Sequence, residues 1–433
     1  MFALWAPRLP LTTKRVVRAL GVYMLLAFGL RPLYLIIAQP QAAYNEPLAN
    51  PMLLAPTYWA GVTTCAGLVL LGFAGTLAVV YAGASLARGR KPRAVNEPRD
   101  VLPILWIIWL LAWLSRLLLL SHLVTLGAGL GLVAGRMLSV GVVALGIAIL
   151  TTDWRHNRNM RQFVIAAVLG EIAWSALDAS KTPLLAAMLF FYVDPRRPRL
   201  SVRLFSGITV GVIGAFTLIQ QLKQTYSGAA ESLKPLWLRA TDTILLRFDM
   251  LNAVALARHA GSGSYMSWSK AIQRMLVDWI PQQLVGVSRL SDGQNWAIVM
   301  QHTYSGVALA TGPAAEGYAI GGMLGIVVFG ALSGAALVLC AALLDRGSGL
   351  ALGSVVVYVI ASGALFEQGA LGIIDTVSGG LQVCVVVVAV SMLIRSPAAT
   401  GGLHSKRERR HSLAVSPVED AATGGLVSGR RSS

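Results

Sequence analysis

The chain has 433 residues, of which 55% are hydrophobic and only 13% are charged. A soluble domain could not bury that much apolar side chain, so the composition predicts a polytopic membrane protein and excludes a soluble globular enzyme. The formal net charge of +17 is explained by membrane topology rather than by nucleic-acid binding, because the basic residues cluster in short loops between apolar runs. The cysteines, Cys65, Cys340 and Cys384, are too scattered for a disulfide framework or a metal cluster.

Long apolar runs divide the chain into membrane spans. A bilayer core of about 30 Å requires roughly twenty apolar residues per helix, and on this basis we predict an all-α membrane protein with about ten transmembrane helices. The fifth and sixth spans are short, which leaves tilted, broken and re-entrant arrangements open. The predicted spans lie near residues 19–38, 58–84, 101–122, 128–150, 162–178, 182–194, 203–222, 314–344, 349–366 and 371–394.

Basic residues on alternate loops predict the orientation of these spans. Cytoplasmic loops are enriched in Lys and Arg, and the intervening loops of this chain are poor in both. Both termini are therefore predicted to be cytoplasmic, with one large extracytoplasmic loop at 223–312. The basic clusters are Arg8, Lys14, Arg15 and Arg18; Arg88, Arg90, Lys91, Arg93 and Arg99; Arg155, Arg158 and Arg161; Arg196, Arg197, Arg199 and Arg203; and the tail after Arg395.

The spans and loops give four regions. Residues 1–222 form an N-terminal membrane domain of about seven spans, and residues 223–312 form the large outer loop with an amphipathic helix. Residues 313–395 form the C-terminal three spans. Residues 396–433 are rich in Ser, Gly and Ala, contain a KRERR cluster and are predicted to be a disordered basic cytoplasmic tail.

The outer loop contains a predicted helix that begins near Pro235 and stops at Gly261. Arg247 and Arg258 are eleven residues apart, about three turns, so they project from nearly the same face, with Arg239 within reach. A solvated helix commonly carries such charges. The opposite face is apolar and is expected to dock on the membrane domain through Ile244, Leu245, Phe248, Leu251 and Val254.

Ionisable residues inside spans are costly and usually face a cavity or a partner. Most of those in this chain fall in the outer half of the predicted spans, which favours one shared polar cavity that opens outward. Arginines there would suit a phosphate or pyrophosphate, because guanidinium binds phosphate oxygens in a bidentate fork. Snorkelling or a structural ion pair is the alternative for any single residue. The set is Arg31, Arg116, Arg136, Glu171, Asp178, Lys181, Glu316, Glu367 and Asp375.

Aromatic and amide residues are interleaved in the second half of the outer loop. They suit sugar stacking and equally suit a membrane interface. No HExxH, P-loop, GxGxxG or DxD pattern occurs, so no metal and no cofactor is predicted. The glycines of GYAIGGMLG and FGALSG are interpreted as helix-packing faces. The aromatic and amide residues are Tyr265, Trp268, Trp279, Gln282, Gln283, Gln294, Asn295, Trp296, His302 and Tyr304.

Three segments carry a family resemblance: SKTPLLAAMLFFYV, RFDMLNAVALAR and GPAAEGYAIGGMLGIVVFGALSG. With the many spans, the large outer loop and the basic tail, they resemble the Wzy-type oligosaccharide repeat-unit polymerases that build O-antigen and capsule-like polysaccharides. The resemblance covers about residues 175–335. Lys181, where the family commonly has arginine, and the AI pair after Tyr318 depart from its pattern.

The resemblance implies glycosyl transfer at the outer face of the bacterial cytoplasmic (inner) membrane, with a polyprenyl-pyrophosphate-linked oligosaccharide as substrate. Neither metal nor cofactor is implied. Arg247 and Arg258, with Arg116 or Arg136, would stabilise the departing pyrophosphate. Glu316 or Asp249 would orient or deprotonate the acceptor hydroxyl, although Glu316 could equally be an ion-pair partner of an arginine. Lys181, Tyr318 and Arg239 would bind substrate.

The implied partners are membrane lipid, a chain-length regulator and a flippase, with no nucleic acid. An O-antigen-type ligase is the nearest alternative function. A flippase or transporter for lipid-linked oligosaccharide is a second, and it predicts charges through the whole membrane depth and internal repeats. A structural partner in a polysaccharide-export complex is a third.

Overall fold

A computed structural model describes residues 11–25, 58–86, 98–120, 128–177, 182–194, 250–280, 291–302, 311–345, 349–363 and 368–395, together with positions 207, 211 and 214. Within these ranges the chain forms twelve helices and no β-strand, which agrees with the predicted all-α class. The helices are α1 (Leu11–Leu25), α2 (Tyr58–Leu86), α3 (Pro98–Leu120), α4 (Ala128–Thr151), α5 (Arg158–Leu177), α6 (Thr182–Val193), α7 (Met250–Ala260), α8 (Trp268–Val277), α9 (Asp292–Gln301), α10 (Gly312–Asp345), α11 (Leu350–Ala361) and α12 (Ala370–Arg395).

Five helices of the described part are long and apolar enough to cross a membrane, so this is an α-helical, multi-pass membrane protein. Shorter apolar stretches occur in α4, α6 and α11. The predicted spans at 19–38 and 203–222 lie largely outside the described residues. The five long spans are Thr63–Gly83, Asp100–Leu118, Arg158–Leu177, Gly312–Leu344 and Ala370–Ile394.

Helices α2 and α10 pack against each other through glycine. A Cβ on Gly330 would collide with the carbonyl oxygen of Gly72, and one on Gly334 would lie 2.5 Å from the carbonyl oxygen of Thr76. The hydroxyl of Thr76 donates a hydrogen bond of 2.9 Å to the carbonyl of Gly330. Small residues allow this close backbone approach, and a threonine hydroxyl across the gap adds a polar contact. The glycines of FGALSG are therefore a helix-packing face, as predicted.

The register of this contact shows the direction of the two helices. The contact moves from Gly72 to Thr76 along α2 as it moves from Gly330 to Gly334 along α10, so the helices run parallel. The sequence likewise predicted that the spans at 58–84 and 314–344 cross in the same direction.

Helix α10 is interrupted near its start, whereas the sequence predicted one continuous span at 314–344. Gly321 (φ −142°, ψ 19°) and Gly322 (φ 62°, ψ −143°) leave the helical region. The backbone of Gly317 touches that of Gly325 across the break, so the chain folds back on itself there. The conformation of Gly322 is one that residues with a Cβ rarely adopt. The close backbone contact between Gly317 and Gly325 likewise leaves no room for a Cβ at either position.

Helices α3, α4, α5, α6 and α11 form a second packed group. The C-terminal half of α4 lies at its centre, since residues 140–151 are all buried. A helix that is apolar and buried on every side is a core helix. Gly146 of α4 marks the tightest point, because a Cβ there would meet the rings and methyls of Phe190 and Val357.

Helix α7 packs against α2 and α10. Leu251 and Val254 are 1% and 0% exposed, which confirms the predicted docking for these two positions. Ile244, Leu245 and Phe248 lie outside the described residues, as does the predicted helix start near Pro235. The helix ends at Ala260, and Gly261 follows with φ +89°, which confirms the predicted stop.

Candidate functional site

Four carboxylates from different parts of the chain meet where α8 and α9 join α10 and α12. Asp278 follows α8, Asp292 begins α9, Glu316 lies in the first segment of α10, and Asp375 lies in the second turn of α12. Asp278, Asp292 and Glu316 are 8%, 2% and 0% exposed, and Asp375 is half-buried. We call these four residues the carboxylate cluster. Burial of this much negative charge is expensive unless each group is paired or hydrogen-bonded.

Glu316 is held by one of its two oxygens. Its Oε1 accepts a hydrogen bond of 3.0 Å from the backbone N–H of Leu371, in the first turn of α12. Its Oε2 has no hydrogen-bond partner among the described residues. A Cβ on Gly369 would collide with Oε2, so the Glu316 side chain packs directly against this glycine. One oxygen is thus fixed by backbone, and the other is left to serve a ligand or to carry a proton.

Asp375 and Asp292 continue the network. The Oδ2 atom of Asp375 accepts a hydrogen bond of 2.7 Å from the backbone N–H of Asp292, at the start of α9. The Tyr265 hydroxyl donates to Oδ1 of Asp292 at 2.6 Å, and the Asn295 amide donates to the Tyr265 hydroxyl at 3.0 Å. Each carboxylate therefore anchors a neighbouring element, as anions do at helix N-termini.

Burial and neighbouring charges shift the pKa values of Asp292 and of the tyrosine that donates to it. The pKa of Asp292 is raised, because burial outweighs the opposing effects of the Tyr265 hydrogen bond and the Arg274 charge. The pKa of Tyr265 is also raised, by burial and then by the negative charge and hydrogen bond of Asp292. Both shifts favour the neutral form of the group, as expected in a low-dielectric site.

Arg274 is the basic partner of the cluster in the described part of the chain. Its Nε donates to Oδ2 of Asp278 at 2.8 Å, and its Nη1 lies 3.4 Å from Oδ1 of Asp292. Burial tends to lower the pKa of Arg274, but the Asp278 hydrogen bond and the charges of Asp292 and Asp278 raise it overall. One guanidinium faces four carboxylates, so the cluster is acidic and its arginine is already engaged.

A second polar site lies in the α3, α4 and α5 group. Arg116 donates from both terminal nitrogens to the two oxygens of Glu171, each at 2.8 Å. The rings of Trp113 and Trp174 lie 5.7 and 5.0 Å from the guanidinium carbon. Gly141 provides the space, since a Cβ there would lie 2.8 Å from Oε1 of Glu171.

This pair changes the interpretation of Arg116. From the sequence, Arg116 was expected to stabilise a pyrophosphate. Its side chain is 0% exposed, however, and its guanidinium is already paired with the Glu171 carboxylate. The structural ion pair, which the sequence left open as an alternative, describes this arginine. The described charges form two groups with different partners: Arg116 with Glu171, and Glu316 and Asp375 with Asp292. The side chains of Arg31, Arg136, Asp178, Lys181 and Glu367 lie outside the described set, so the single shared cavity stays a prediction.

Two other predicted site residues have described side chains. Arg258 is half-buried near the end of α7, the helix that packs against α2 and α10. Tyr318 is half-buried, two residues after Glu316. Arg136 falls within α4, but its side chain is outside the described set. The remaining predicted residues, Arg239, Arg247, Asp249 and Lys181, lie outside the described residues.

The aromatic and amide residues of the outer loop mostly build the interior of the α7 to α9 region. The Tyr265 and Trp296 rings meet edge-on with centroids 5.0 Å apart, and Trp296 is 0% exposed. Gln294 completes a capping box with Ser291 at the start of α9. His302 closes the same helix in a left-handed conformation. These residues stabilise the fold. Trp279, in contrast, is 50% exposed, and Gln282, Gln283 and Tyr304 lie outside the described residues, so the choice between sugar stacking and a membrane interface stays open for them.

Sequence reasoning missed Asp278, Asp292 and Arg274 as site residues. Two local signals were present. Arg274 and Asp278 have the i,i+4 spacing of a helical ion pair, and Ser291 with Gln294 has the spacing of a capping box, which predicts a helix start at Asp292. Neither signal shows that the two elements meet Glu316 and Asp375, because that requires the tertiary fold.

Comparison with known proteins adds no relative. No protein-family model, no curated protein and no solved structure matches the chain. Within the described ranges, no group of three or more His, Cys, Asp or Glu side chains is arranged to hold a metal ion. The fold and the site thus define an α-helical membrane protein with an enclosed carboxylate cluster where α8 and α9 meet α10 and α12.

Proposed function

We propose that this protein is a membrane glycosyltransferase that polymerises polyprenyl-pyrophosphate-linked oligosaccharide repeat units on the outer face of the bacterial cytoplasmic membrane. The observation that carries the proposal is the carboxylate of Glu316, which is enclosed and held by one oxygen while the other has no described partner. The resemblance of residues 175–335 to Wzy-type polymerases supplies the reaction class.

The reaction requires one base and one stabilised leaving group. The acceptor hydroxyl attacks the anomeric carbon, the bond from that carbon to the pyrophosphate oxygen breaks, and the hydroxyl proton passes to a base. Glu316 is suited to take this proton through Oε2, because its hydrogen bond from Leu371 fixes its position. A positioned general base typically contributes about 10²-fold to 10⁴-fold in rate.

The charge of the cluster favours the acceptor rather than the donor. Carboxylates accept hydrogen bonds from sugar hydroxyls, whereas four of them beside one engaged arginine would repel a pyrophosphate. The pyrophosphate is therefore assigned to the outer-loop arginines, Arg247 and Arg258 with Arg239. Because Glu316 is 0% exposed, an acceptor reaches it only when the covering elements move apart.

One observation favours a lipid-linked oligosaccharide flippase as the second candidate. Helix α10 is discontinuous at Gly321 and Gly322, and Glu316 lies in the short segment before the break. Secondary transporters commonly place substrate or ion sites at interrupted helices. A flippase would use the buried carboxylate to carry a proton rather than to activate a hydroxyl.

A complementation experiment separates the two functions. The gene is deleted in its host and restored as wild type, Glu316→Gln, Arg247→Ala or Asp100→Asn, the last a control because Asp100 is an exposed carboxylate at the start of α3. Lipid-linked glycans are then separated on a gel, and their leaflet is determined with a membrane-impermeant sugar-modifying reagent. Membrane levels of each variant are compared first.

The polymerase predicts that deletion leaves single repeat units on the outer leaflet and that Glu316→Gln does the same, while Asp100→Asn restores polymer. Repeat units trapped on the cytoplasmic leaflet would show a flippase instead. Full-length polymer from Glu316→Gln would remove Glu316 from the mechanism, and full-length polymer from Arg247→Ala would do the same for that arginine.

A further inference from the structure

Helix α8 exposes large apolar side chains although it belongs to the outer-loop region. Ile272, Leu276 and Trp279, the last in the turn after the helix, are 52%, 66% and 50% exposed. They are separated by four and three residues, so they lie on one face of the helical path. We call these three residues the α8 stripe.

The rest of α8 is divided between protein and solvent. Ala271 and Asp278 are buried, and Arg274 bonds to Asp278 and Asp292. Lys270 and Gln273 are exposed and lie on the flank away from the stripe, since each residue turns the helix by about 100°. The helix therefore has three faces: one against the carboxylate cluster, one polar and exposed, and one apolar and exposed.

We propose that α8 lies in the interface of the membrane on the outer side, with the α8 stripe inserted among lipid acyl chains and Lys270 and Gln273 directed to water. A contiguous stripe of exposed apolar side chains marks an interaction surface. A helix with one apolar face and one polar face, followed by a tryptophan in the next turn, has the pattern of an interfacial helix.

The position of α8 against α10 identifies lipid as the occupant. Trp268, the first residue of α8, packs on Phe329 of α10 with ring centroids 6.1 Å apart, and it covers Gly321 at the break. Between those two contact points, α10 exposes Met323, Leu324 and Val327 at 57%, 67% and 41%. These residues belong to a candidate membrane span. The helix thus starts beside a lipid-facing surface, and its stripe extends that surface.

This inference is independent of the reaction proposed above, but it has a consequence for the site. The residues of α8 that face the protein are Arg274 and Asp278, which bond within the carboxylate cluster. Lipid would contact one side of α8, and the carboxylate cluster lies on its other side, one helix diameter away. The membrane would therefore help to hold Arg274 in place.

The test measures the surroundings of single labels. Leu276→Cys, Ile272→Cys and the control Gln273→Cys are each made in a background where Cys65, Cys340 and Cys384 are replaced by alanine. Each is labelled with an environment-sensitive fluorophore and reconstituted in vesicles of phosphatidylethanolamine and phosphatidylglycerol. Quenching is measured with brominated acyl chains and with aqueous iodide. Two stripe positions are used so that a variant that does not fold can be replaced by the other.

The proposal expects blue-shifted emission and strong quenching by brominated lipid at Leu276 or Ile272, with little quenching by iodide, and the reverse at Gln273. Stripe labels that iodide quenches and brominated lipid does not would overturn it. Stripe labels shielded from both quenchers would also overturn it, because they would show that a protein surface covers the stripe.

Discussion

Glu316 in the first segment of α10 accepts a hydrogen bond of 3.0 Å from the backbone N–H of Leu371, in the first turn of α12. Helix α12 in turn supplies Asp375, whose carboxylate accepts from the backbone N–H of Asp292 at the start of α9 at 2.7 Å. Negative charge at helix N-termini is stabilising, by about 0.3–1 kcal/mol at exposed sites and up to about 2 kcal/mol when partly buried. The carboxylate cluster thus links α8 and α9 to two candidate membrane spans, α10 and α12.

The first prediction separates a structural role of Glu316 from the catalytic role proposed for it. Glu316→Gln keeps an oxygen that can accept from Leu371 but removes the charge and the basicity. We expect the variant to unfold in detergent at a temperature equal to or above that of the wild type, because Asp292 and Asp375 no longer face a third carboxylate. Polymer synthesis is expected to fall by about 10²-fold to 10⁴-fold.

The control for this prediction is Glu316→Ala, which removes the acceptor as well. It leaves the buried N–H of Leu371 without its partner, which costs roughly 1–3 kcal/mol, so it should be both inactive and less stable. If both variants lost the same stability, and if activity fell only as far as the amount of folded protein did, Glu316 would have a purely structural role.

The second prediction concerns the Arg116 and Glu171 pair. Arg116→Met leaves the carboxylate of Glu171 buried without its cation, and breaking a buried pair in this way typically costs about 3–5 kcal/mol. The double variant Arg116→Met with Glu171→Met removes both charges and is expected to recover most of that loss. The measurement is thermal unfolding of the purified proteins in detergent, arranged as a double-mutant cycle.

A pyrophosphate role for Arg116 would give a different pattern. In that case the double variant would be folded and stable but would bind the lipid-linked substrate weakly. We expect instead that substrate binding by the stable double variant stays close to the wild-type value, since the guanidinium is enclosed by Trp113 and Trp174.

The parts of the fold that were predictable from sequence are those determined by local pattern. The length of the apolar runs predicted the bounds of α2, α3, α4 and α12 to within a few residues, and Gly261 marked the end of α7. The glycines of FGALSG were correctly read as a packing face, because closely spaced small residues in an apolar helix have few other uses.

The unpredicted parts depend on contacts between distant residues. The break at Gly321 and Gly322 was hidden, since glycine is common in membrane helices and the run is apolar throughout. The pairing of Arg116 with Glu171 joins residues 55 positions apart. Both residues were assigned to one outward-opening set, although a long arginine side chain can reach along its helix toward a single partner.

The third prediction tests the glycine contact between α2 and α10. Gly330→Ala places a Cβ against the carbonyl oxygen of Gly72, a backbone atom that cannot move aside like the end of a side chain. Overpacking of this kind typically costs about 1–3 kcal/mol. Gly67→Ala is the matched control, because Gly67 lies on α2, the partner helix in this contact, and a Cβ there meets nothing within 4 Å.

Thermal unfolding in detergent should show a lower transition temperature for Gly330→Ala and almost no change for Gly67→Ala. If Gly330→Ala were as stable as Gly67→Ala, the two helices would not be in contact through these glycines, and their parallel packing would have to be abandoned.

The last prediction follows from the raised pKa of Asp292, which results mainly from burial. An unfolded aspartate has its ordinary pKa near 3.8, whereas the folded one keeps its proton to higher pH. Between the two values the folded state binds more protons than the unfolded state, so stability falls as pH rises through that window and is fully present below it. The slope from one group cannot exceed about 1.4 kcal/mol per pH unit.

Asp292→Asn removes this titration while keeping an oxygen that can accept from the Tyr265 hydroxyl. We therefore expect the unfolding temperature of the wild type to fall more steeply than that of Asp292→Asn as pH rises above about 4. Asp153→Asn is the control, since the Asp153 side chain is 48% exposed and pairs with His156 in the loop after α4. Its curve should parallel that of the wild type. Parallel curves for all three proteins would mean that Asp292 is ionised in the folded protein throughout, with Arg274 compensating its charge.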